Sequence, residues 1–140
     1  METSIDRFLT THAGSLPRSD ELVSLQVSQY RGDSIETDEL ERAVEASTRF
    51  VIAQQAASGI DIGNNGEQAR ESFFTYVQHR MSGFAGESQR PPMQDMVRYP
   101  SWIRLKFPGY QSGVSLVQAP QAQGEVSYIN RAPLVKELSD

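Results

Sequence analysis

The chain has 140 residues, and its 13 lysines and arginines against 18 aspartates and glutamates give a formal net charge of −5. This acidic balance argues against a protein that holds nucleic acid by neutralising phosphates. The sequence contains no cysteine, which excludes disulfides, thiolate nucleophiles and cysteine-ligated zinc within this chain. Residues 1–14 lack a signal-peptide pattern and no apolar run could span a bilayer, so we expect a soluble, cytoplasmic protein with no membrane partner.

The first 65 residues alternate strand and helix signals. Residues 8–13 mix apolar and β-favouring side chains before a glycine, which predicts a short strand that runs into a loop. Helices are predicted over about 19–30 and 37–58, the second with acidic residues in its first turn and Gly59 after its last. Residues 60–65 follow as a short strand that ends in polar groups. A helix, a glycine and a short apolar strand in succession are typical of a parallel α/β fold.

The rest of the sequence is less regular. Apolar positions along one face predict a helix over about 68–81. Residues 85–110 carry several prolines and aromatic side chains, and a long irregular stretch of this kind indicates either a functional insertion or a subunit contact. Residues 114–117 and 125–128 are predicted strands, and 134–138 are predicted to begin a helix.

Polar residues cluster where the first predicted strand ends. Gly14 allows the backbone to approach a ligand, Ser15 offers a hydroxyl group and an amide N–H, and Arg18 can pair with a carboxylate or a phosphate. The alternative is a tight turn in which Ser15 only caps, since Gly-Ser-x-Pro is ordinary turn chemistry. The position is itself informative, because ligands of α/β folds bind at the carboxyl ends of the strands.

A second polar cluster, residues 64–70, follows the other predicted strand. Glu67 could accept the ammonium group of an amino-acid-like ligand or steer a proton, and it could equally cap the helix expected after it. His12 has no second ligand at metal-binding spacing, which is more typical of a hydrogen-bonded structural histidine. His79 is interpreted as a surface or packing residue.

A family resemblance is carried by three stretches in this order: TTHAGSLPRSDEL, AASGIDIGNNGEQARESFFTYVQHRMSGF and GEVSYINRAPLVKEL. Together they resemble the N-terminal portion of the cobalamin-independent methionine synthase family, and more narrowly the short bacterial and archaeal homologues of its C-terminal catalytic barrel. The GSLPR turn, the NGEQ strand end and the YVQHRMSGF helix end are specific in combination.

The resemblance implies an α/β fold that is the N-terminal part of a (β/α)8 TIM barrel. A complete barrel needs about 250 residues. The 140 residues of this chain would then form a single partial domain, an incomplete barrel with an irregular insertion at 85–110. The family transfers a methyl group from methyl-tetrahydrofolate to the sulfur of homocysteine, in methionine biosynthesis.

The homocysteine contacts of the family map onto the two polar clusters. The resemblance implies that Ala13, Gly14 and Ser15 contact the amino-acid part of the substrate and that Glu67 binds its amino group. The accessory positions, which flank these contacts, are His12, Arg18 and Asn65. Asn65 stands where the family usually has aspartate, a change that removes a charge.

The family activates its thiol with zinc, because a metal-bound sulfur ionises to the thiolate that attacks the methyl donor. Its ligands are a histidine, cysteines and a glutamate from later barrel strands, and this chain has no cysteine. The resemblance therefore implies no metal ligand and no catalytic residue within this chain. The chain would supply the homocysteine-binding part and lack methyltransferase activity alone.

Two alternatives stay open at this point. Related zinc-dependent barrels alkylate other thiols, such as the thiol cofactor that opens epoxides, and the two polar clusters do not separate these substrates. The second alternative is a non-catalytic subunit or interaction module, in which the aromatic stretch at 99–110 docks on a partner. Open edges on the predicted strands favour a homodimer or a complementing chain.

Overall fold

A computed structural model describes residues 4–73, 75–86, 89, 91, 93–106 and 119–139. They group into two compact units, one formed by the described residues up to Arg70 together with Ser139, and the other by the described residues within Glu71–Leu138. Helices and short strands occur together, so the fold is mixed α/β. The predicted strand at 114–117 lies outside the described residues.

The first helix, α1, spans Asp20–Arg31 and confirms the helix predicted over 19–30. It begins after Ser19, whose Oγ accepts a hydrogen bond from the Leu22 backbone N–H at 3.2 Å. It ends at Gly32, which has a φ of 80°, in the left-handed region that glycine adopts without a steric penalty. The boundaries follow from these local capping signals.

The second helix, α2, spans Thr37–Ala57, as predicted, and packs against α1. Its buried positions include Ala43, Ser47, Val51 and Gln55, which are four residues apart and therefore lie on one face. Two of these four side chains are polar. The buried face of α2 therefore makes hydrogen bonds as well as apolar contacts.

The two segments predicted as strands on either side of α2 meet in parallel. Thr11 and Ile62 form a parallel bridge, and the Thr11 hydroxyl donates to the Ile62 carbonyl at 2.8 Å. The backbone N–H of Ile62 donates to the Thr10 carbonyl at 3.0 Å. The parallel pairing agrees with the predicted α/β pattern, but the two segments are separated by both α1 and α2, and a bridge stands in place of the longer strands expected over 8–13 and 60–65.

Asp61 fastens the first segment to the second. Its carboxylate accepts hydrogen bonds from the Arg7 guanidinium, from the Thr10 backbone N–H at 2.8 Å and from the Thr10 hydroxyl at 3.0 Å. The bond from Arg7, followed by that from the Thr10 backbone, holds the pKa of Asp61 well below its usual range. The segment that leads to residues 13–15 is thus anchored at its start.

The prediction of a helix over 68–81 is wrong. The structure has a turn before Arg70 and a 3₁₀ helix at Tyr76–His79 in the second unit. Glu67, directly before the predicted range, has a left-handed backbone with a φ of 57°, and the turn there extends to residue 69. The Gln68 side chain is buried among partners from other elements, and a helix starting there would pull it away from them.

Short antiparallel pairings organise part of the second unit. Strand β1 (Phe84–Ala85) pairs with β2 (Gln121–Ala122), which the sequence did not predict. The strand predicted over 125–128 is reduced to an antiparallel bridge between Met81 and Tyr128. Three further helices are α3 (Gln94–Arg98), α4 (Pro100–Lys106) and α5 (Ala132–Ser139).

The prediction of an irregular stretch over 85–110 is wrong for the part that α3 and α4 occupy. Pro100 is the first residue of α4, and proline suits that position because its missing N–H would have no partner there anyway.

The helix predicted to begin at 134–138 is confirmed as α5, which starts two residues earlier. There the Asn130 side-chain oxygen accepts the Ala132 N–H at 3.1 Å. Within the described residues, no helix is both long and apolar enough to cross a bilayer.

A buried ion pair joins the 3₁₀ segment to α5. The Arg80 guanidinium contacts Glu137 Oε1 at 2.6 Å, and their side chains are 9% and 7% exposed. The Arg80 guanidinium also lies over the Tyr76 ring, 4.8 Å from its centroid. The Arg80 carbonyl accepts the N–H groups of Ile129 and Asn130. The buried Arg80–Glu137 ion pair therefore holds α5 to the residues that follow the 3₁₀ helix within the second unit.

A second charged pair in this unit contains the histidine interpreted from sequence as a surface or packing residue. Glu71 Oε1 lies 3.4 Å from His79 Nε2 and accepts a hydrogen bond from the Thr75 hydroxyl at 2.9 Å. Burial opposes ionisation of Glu71, but hydrogen bonds from His79, its own backbone and Thr75 together lower its pKa. The hydrogen bond with Glu71 raises the pKa of His79 against the smaller opposing effect of burial.

The pair predicts a pH window of maximal stability for the second unit. The contribution of Glu71 is present above its unfolded pKa of about 4.5 and lost as pH falls through the folded value, whereas that of His79 is complete below about 6.5 and lost as pH rises through its folded value. We expect urea unfolding followed by Trp102 fluorescence to give the highest free energy of unfolding between these two pH values. His79→Gln should flatten the decline on the alkaline side, and an unchanged pH profile in that variant would contradict the assignment.

Candidate functional site

The two polar clusters predicted from sequence lie against each other in the first unit. The Leu16 backbone N–H donates to the Gly66 carbonyl at 3.0 Å. A Cβ atom at Gly66 would lie 2.8 Å from the Leu16 Cβ, so the close approach of the two loops requires glycine there. The loops follow the paired residues Thr11 and Ile62, at the carboxyl ends of two parallel segments, where ligands of α/β folds bind.

Ser15 and Glu67 come together at the centre of this junction. The Ser15 hydroxyl donates to Glu67 Oε2 at 2.5 Å, although the two residues are 52 positions apart in the sequence. Among the described residues other than glycine, Glu67 is the one with a positive φ, of 57°. A left-handed backbone at a bulky residue is strained, and such strain clusters at ligand sites.

Neighbouring groups hold Glu67 in this conformation. Its backbone N–H donates to Asn65 Oδ1 at 3.1 Å, and its carbonyl accepts from Arg18 Nη2 at 2.8 Å. Its Oε1 atom lies 3.3 Å from Arg70 Nη1, and Arg18 Nη2 also donates to the Arg70 carbonyl at 2.7 Å. Arg18 and Asn65 therefore hold the Glu67 backbone in place through hydrogen bonds to its carbonyl and its N–H. Asn65 contributes only an acceptor oxygen, so this contact does not require a charge at position 65.

Asn64 is a site residue that sequence reasoning did not single out. Its Nδ2 donates to the His12 carbonyl at 2.6 Å and its Oδ1 accepts the Gly66 N–H at 2.8 Å. The Gln55 side-chain amide pairs with both the N–H and the carbonyl of Asn64. Asn64 thus needs both its donor and its acceptor, whereas Asn65 contributes an acceptor alone.

Replacing each asparagine with aspartate separates these two roles. We expect Asn64→Asp to lower the free energy of unfolding by about 1–3 kcal/mol, because it sets a carboxylate oxygen against the His12 carbonyl. Asn65→Asp keeps the acceptor for the Glu67 N–H and should change stability by less than about 0.5 kcal/mol. Chemical denaturation followed by circular dichroism measures both, and equal losses in the two variants would contradict the assignment.

The remaining predicted residues line the same loop. Ala13 and Gly14 are exposed, and Gly14 has a φ of 88°. The His12 Nε2 atom is buried with no hydrogen-bond partner among the described residues. His12 also borders a cavity of about 390 Å³ whose walls include Leu16, Phe50 and Ile60. The His12 side chain therefore lines an apolar cavity that also touches α2.

The site presents one partly exposed carboxylate, that of Glu67. The Glu67 side chain is 21% exposed, so its carboxylate is reachable yet partly shielded from water. A carboxylate held in this way can accept charge-assisted hydrogen bonds from an ammonium group.

The residues present do not fit zinc, because the sequence has no cysteine and the described residues contain no group of three His, Asp or Glu placed to hold a metal.

Comparison with known proteins assigns the class. The family described as cobalamin-independent synthase, catalytic domain, matches residues 8–99, which include both loops of the site. The chain belongs to this family, as predicted from the sequence, and the first two of the three resembling stretches lie within the matched residues. It is similar to the 5-methyltetrahydropteroyltriglutamate–homocysteine methyltransferases of two strains of Acidithiobacillus ferrooxidans, with 31% identity over 78 residues. The aligned part is 56% of this chain and 10% of the length of each of these relatives.

Proposed function

We propose that this chain binds the amino-acid end of a homocysteine-like thiol, as the substrate-binding part of a methyltransferase of the cobalamin-independent methionine synthase type. The observation that carries the proposal is the contact of the Ser15 hydroxyl with the Glu67 carboxylate at 2.5 Å. Two residues that family resemblance assigns to one substrate are brought together from loops 52 positions apart.

Each end of the amino acid has a complementary group in the proposed site. Glu67 accepts hydrogen bonds from the ammonium group, and this interaction is strong because both partners are charged. The exposed loop of Ala13, Gly14 and Ser15 presents backbone N–H groups to the carboxylate, and Gly14 lets the ligand come close because it has no side chain. His12, Arg18 and Asn65 are accessory, since they hold the loops that make these contacts.

The proposal gives this chain binding and orientation of the thiol substrate, with no step of methyl transfer. Methyl-tetrahydrofolate as donor and zinc as the thiol activator are family expectations, and the lack of cysteine leaves this chain without the sulfur ligands of that metal. The (β/α)8 barrel, and the homodimer or complementing chain that would cover open strand edges, belong to the same proposal.

A titration with three small ligands tests the proposal. L-homocysteine and L-methionine should shift the amide resonances of Ser15 and Glu67 in a ¹⁵N-labelled sample. 4-Mercaptobutanoic acid, which is homocysteine without its amino group, should shift them at no more than about a tenth of that affinity, because it lacks the charged hydrogen bonds to Glu67. Equal binding of the deaminated thiol would contradict an amino-acid site and favour a thiol alkyltransferase of other specificity. Turnover of homocysteine and methyl-tetrahydrofolate by the chain alone would contradict its assignment as a binding part.

A further inference from the structure

Gln68 is a buried polar residue that the proposed substrate contacts do not include. Its side chain is fully buried, with 0% exposure, and it directly follows Glu67. Burying an amide is costly unless its hydrogen bonds are satisfied, so a wholly buried glutamine beside a ligand-binding loop needs a specific role.

Both ends of the Gln68 amide are hydrogen bonded. Its Nε2 donates to the Leu16 carbonyl at 3.1 Å and to the Gly66 carbonyl at 3.2 Å. Its Oε1 accepts from the Ser47 hydroxyl on α2 at 2.7 Å. The Gln68 backbone carbonyl accepts from the Gln26 side chain of α1 at 2.7 Å. One residue therefore ties the two site loops to both helices.

The two carbonyls that Gln68 bridges belong to the neighbours of the ligand-binding residues. Leu16 follows Ser15, and Gly66 precedes Glu67. The spacing of these carbonyls sets the distance between the Ser15 hydroxyl and the Glu67 carboxylate, because each side chain is one peptide unit away from an anchored group. The Leu16 N–H to Gly66 carbonyl bond links the same two residues directly, and the loops are also joined by the contacts of Arg18 and Asn64.

We propose that Gln68 is a positioning residue that sets the separation of Ser15 and Glu67 and thereby the affinity for the amino-acid end of the substrate. The inference rests on the proposed function. Glutamine suits this position because it combines an NH₂ group that serves two carbonyls with an oxygen that accepts one hydroxyl. Glutamate would face the two carbonyls with an oxygen, and methionine would make none of the three bonds.

A pair of variants separates positioning from stability. Gln68→Met removes the two side-chain hydrogen bonds to the Leu16 and Gly66 carbonyls, whereas Ser47→Ala removes a hydrogen bond to the same amide and leaves those two intact. Both variants should unfold at lower denaturant concentration. At a temperature where each is folded, Ser47→Ala should bind L-methionine within about twofold of the unchanged chain, and Gln68→Met should bind at least tenfold more weakly. The amide resonances of Ser15 and Glu67 should move in Gln68→Met before any ligand is added.

The ligand-free spectra keep the inference separate from the proposed function. If the unchanged chain fails to bind L-methionine, the proposed function fails, while the Ser15 and Glu67 resonances still report whether Gln68 controls the loop spacing. Unmoved resonances and unweakened binding in Gln68→Met would overturn the inference. If Gln68→Met does not fold, the inference is tested on the unchanged chain by nuclear magnetic resonance. Its Gln68 side-chain amide protons should exchange slowly and show Overhauser contacts to Leu16 and Gly66, and fast exchange without those contacts would overturn the inference.

Discussion

Replacing Glu67 with glutamine is expected to weaken binding of L-homocysteine and L-methionine by about 10- to 100-fold. Glutamine keeps the size of the side chain but loses the negative charge, and a hydrogen bond to a charged group contributes about 1.5–3 kcal/mol. The Ser15 hydroxyl can still donate to the remaining carbonyl oxygen, while the ion pair with Arg70 is lost. Isothermal titration calorimetry with each amino acid measures the change.

Glu45→Gln is the matched control for this substitution. Glu45 lies on α2 in the same unit, with its side chain 62% exposed and paired with Arg49 one helical turn away. The same chemical change should leave ligand affinity unaltered there. Affinity retained in Glu67→Gln, or lost equally in Glu45→Gln, would remove Glu67 from the proposed ammonium contact.

Glu137→Gln should lower the free energy of unfolding of the second unit by about 3 kcal/mol. The substitution leaves the Arg80 guanidinium buried, with the Tyr76 ring on one side and no carboxylate to balance its charge. An unbalanced buried charge is costly because it has lost its hydration. Urea unfolding monitored through Trp102, the single tryptophan of the chain, reports on this unit.

Two further variants calibrate this loss. The Arg49–Glu45 pair has the same 2.6 Å separation as the Arg80–Glu137 pair but is exposed, and breaking it with Glu45→Gln should cost less than about 0.5 kcal/mol by circular dichroism. The double variant Arg80→Met with Glu137→Leu should recover part of the loss, because no charge is then left buried. Equal destabilisation by Glu45→Gln and Glu137→Gln would show that burial does not govern these pairs.

Local signals explain why the sequence predicts α1 and α2 well. Ser19 at the start of α1 and Gly32 at its end act on neighbouring residues, so their effect can be predicted without knowing the rest of the chain. The meeting of the loops that carry Ser15 and Glu67 was also predictable, since both follow segments expected to be parallel strands. Residue chemistry alone left open whether Ser15 and Glu67 bind a ligand or only cap local structure. The family resemblance is what suggested a substrate for them.

The errors arise where distant partners decide the local conformation. Apolar spacing favours a helix from Gln68 onward, but the Gln68 side chain bonds to Ser47 and Leu16, which are 21 and 52 positions away. Those contacts hold Gln68 in a turn in place of the predicted helix. Asn64 was overlooked for the same reason, because its value as a two-way hydrogen-bonding residue depends on His12, which lies 52 positions earlier.

The buried face of α2 also fixes the register of that helix along its own axis. A purely apolar stripe would allow a helix to slide by one turn and repack, since one apolar contact resembles the next. In α2, such a slide would move Ala43 or Val51 into the places of Ser47 and Gln55, and would break the hydrogen bond from Ser47 to the Gln68 amide and those of Gln55 with the Asn64 backbone. Ser47 and Gln55 therefore fix the register of α2, and through them this helix is bonded directly to the loop that carries Glu67.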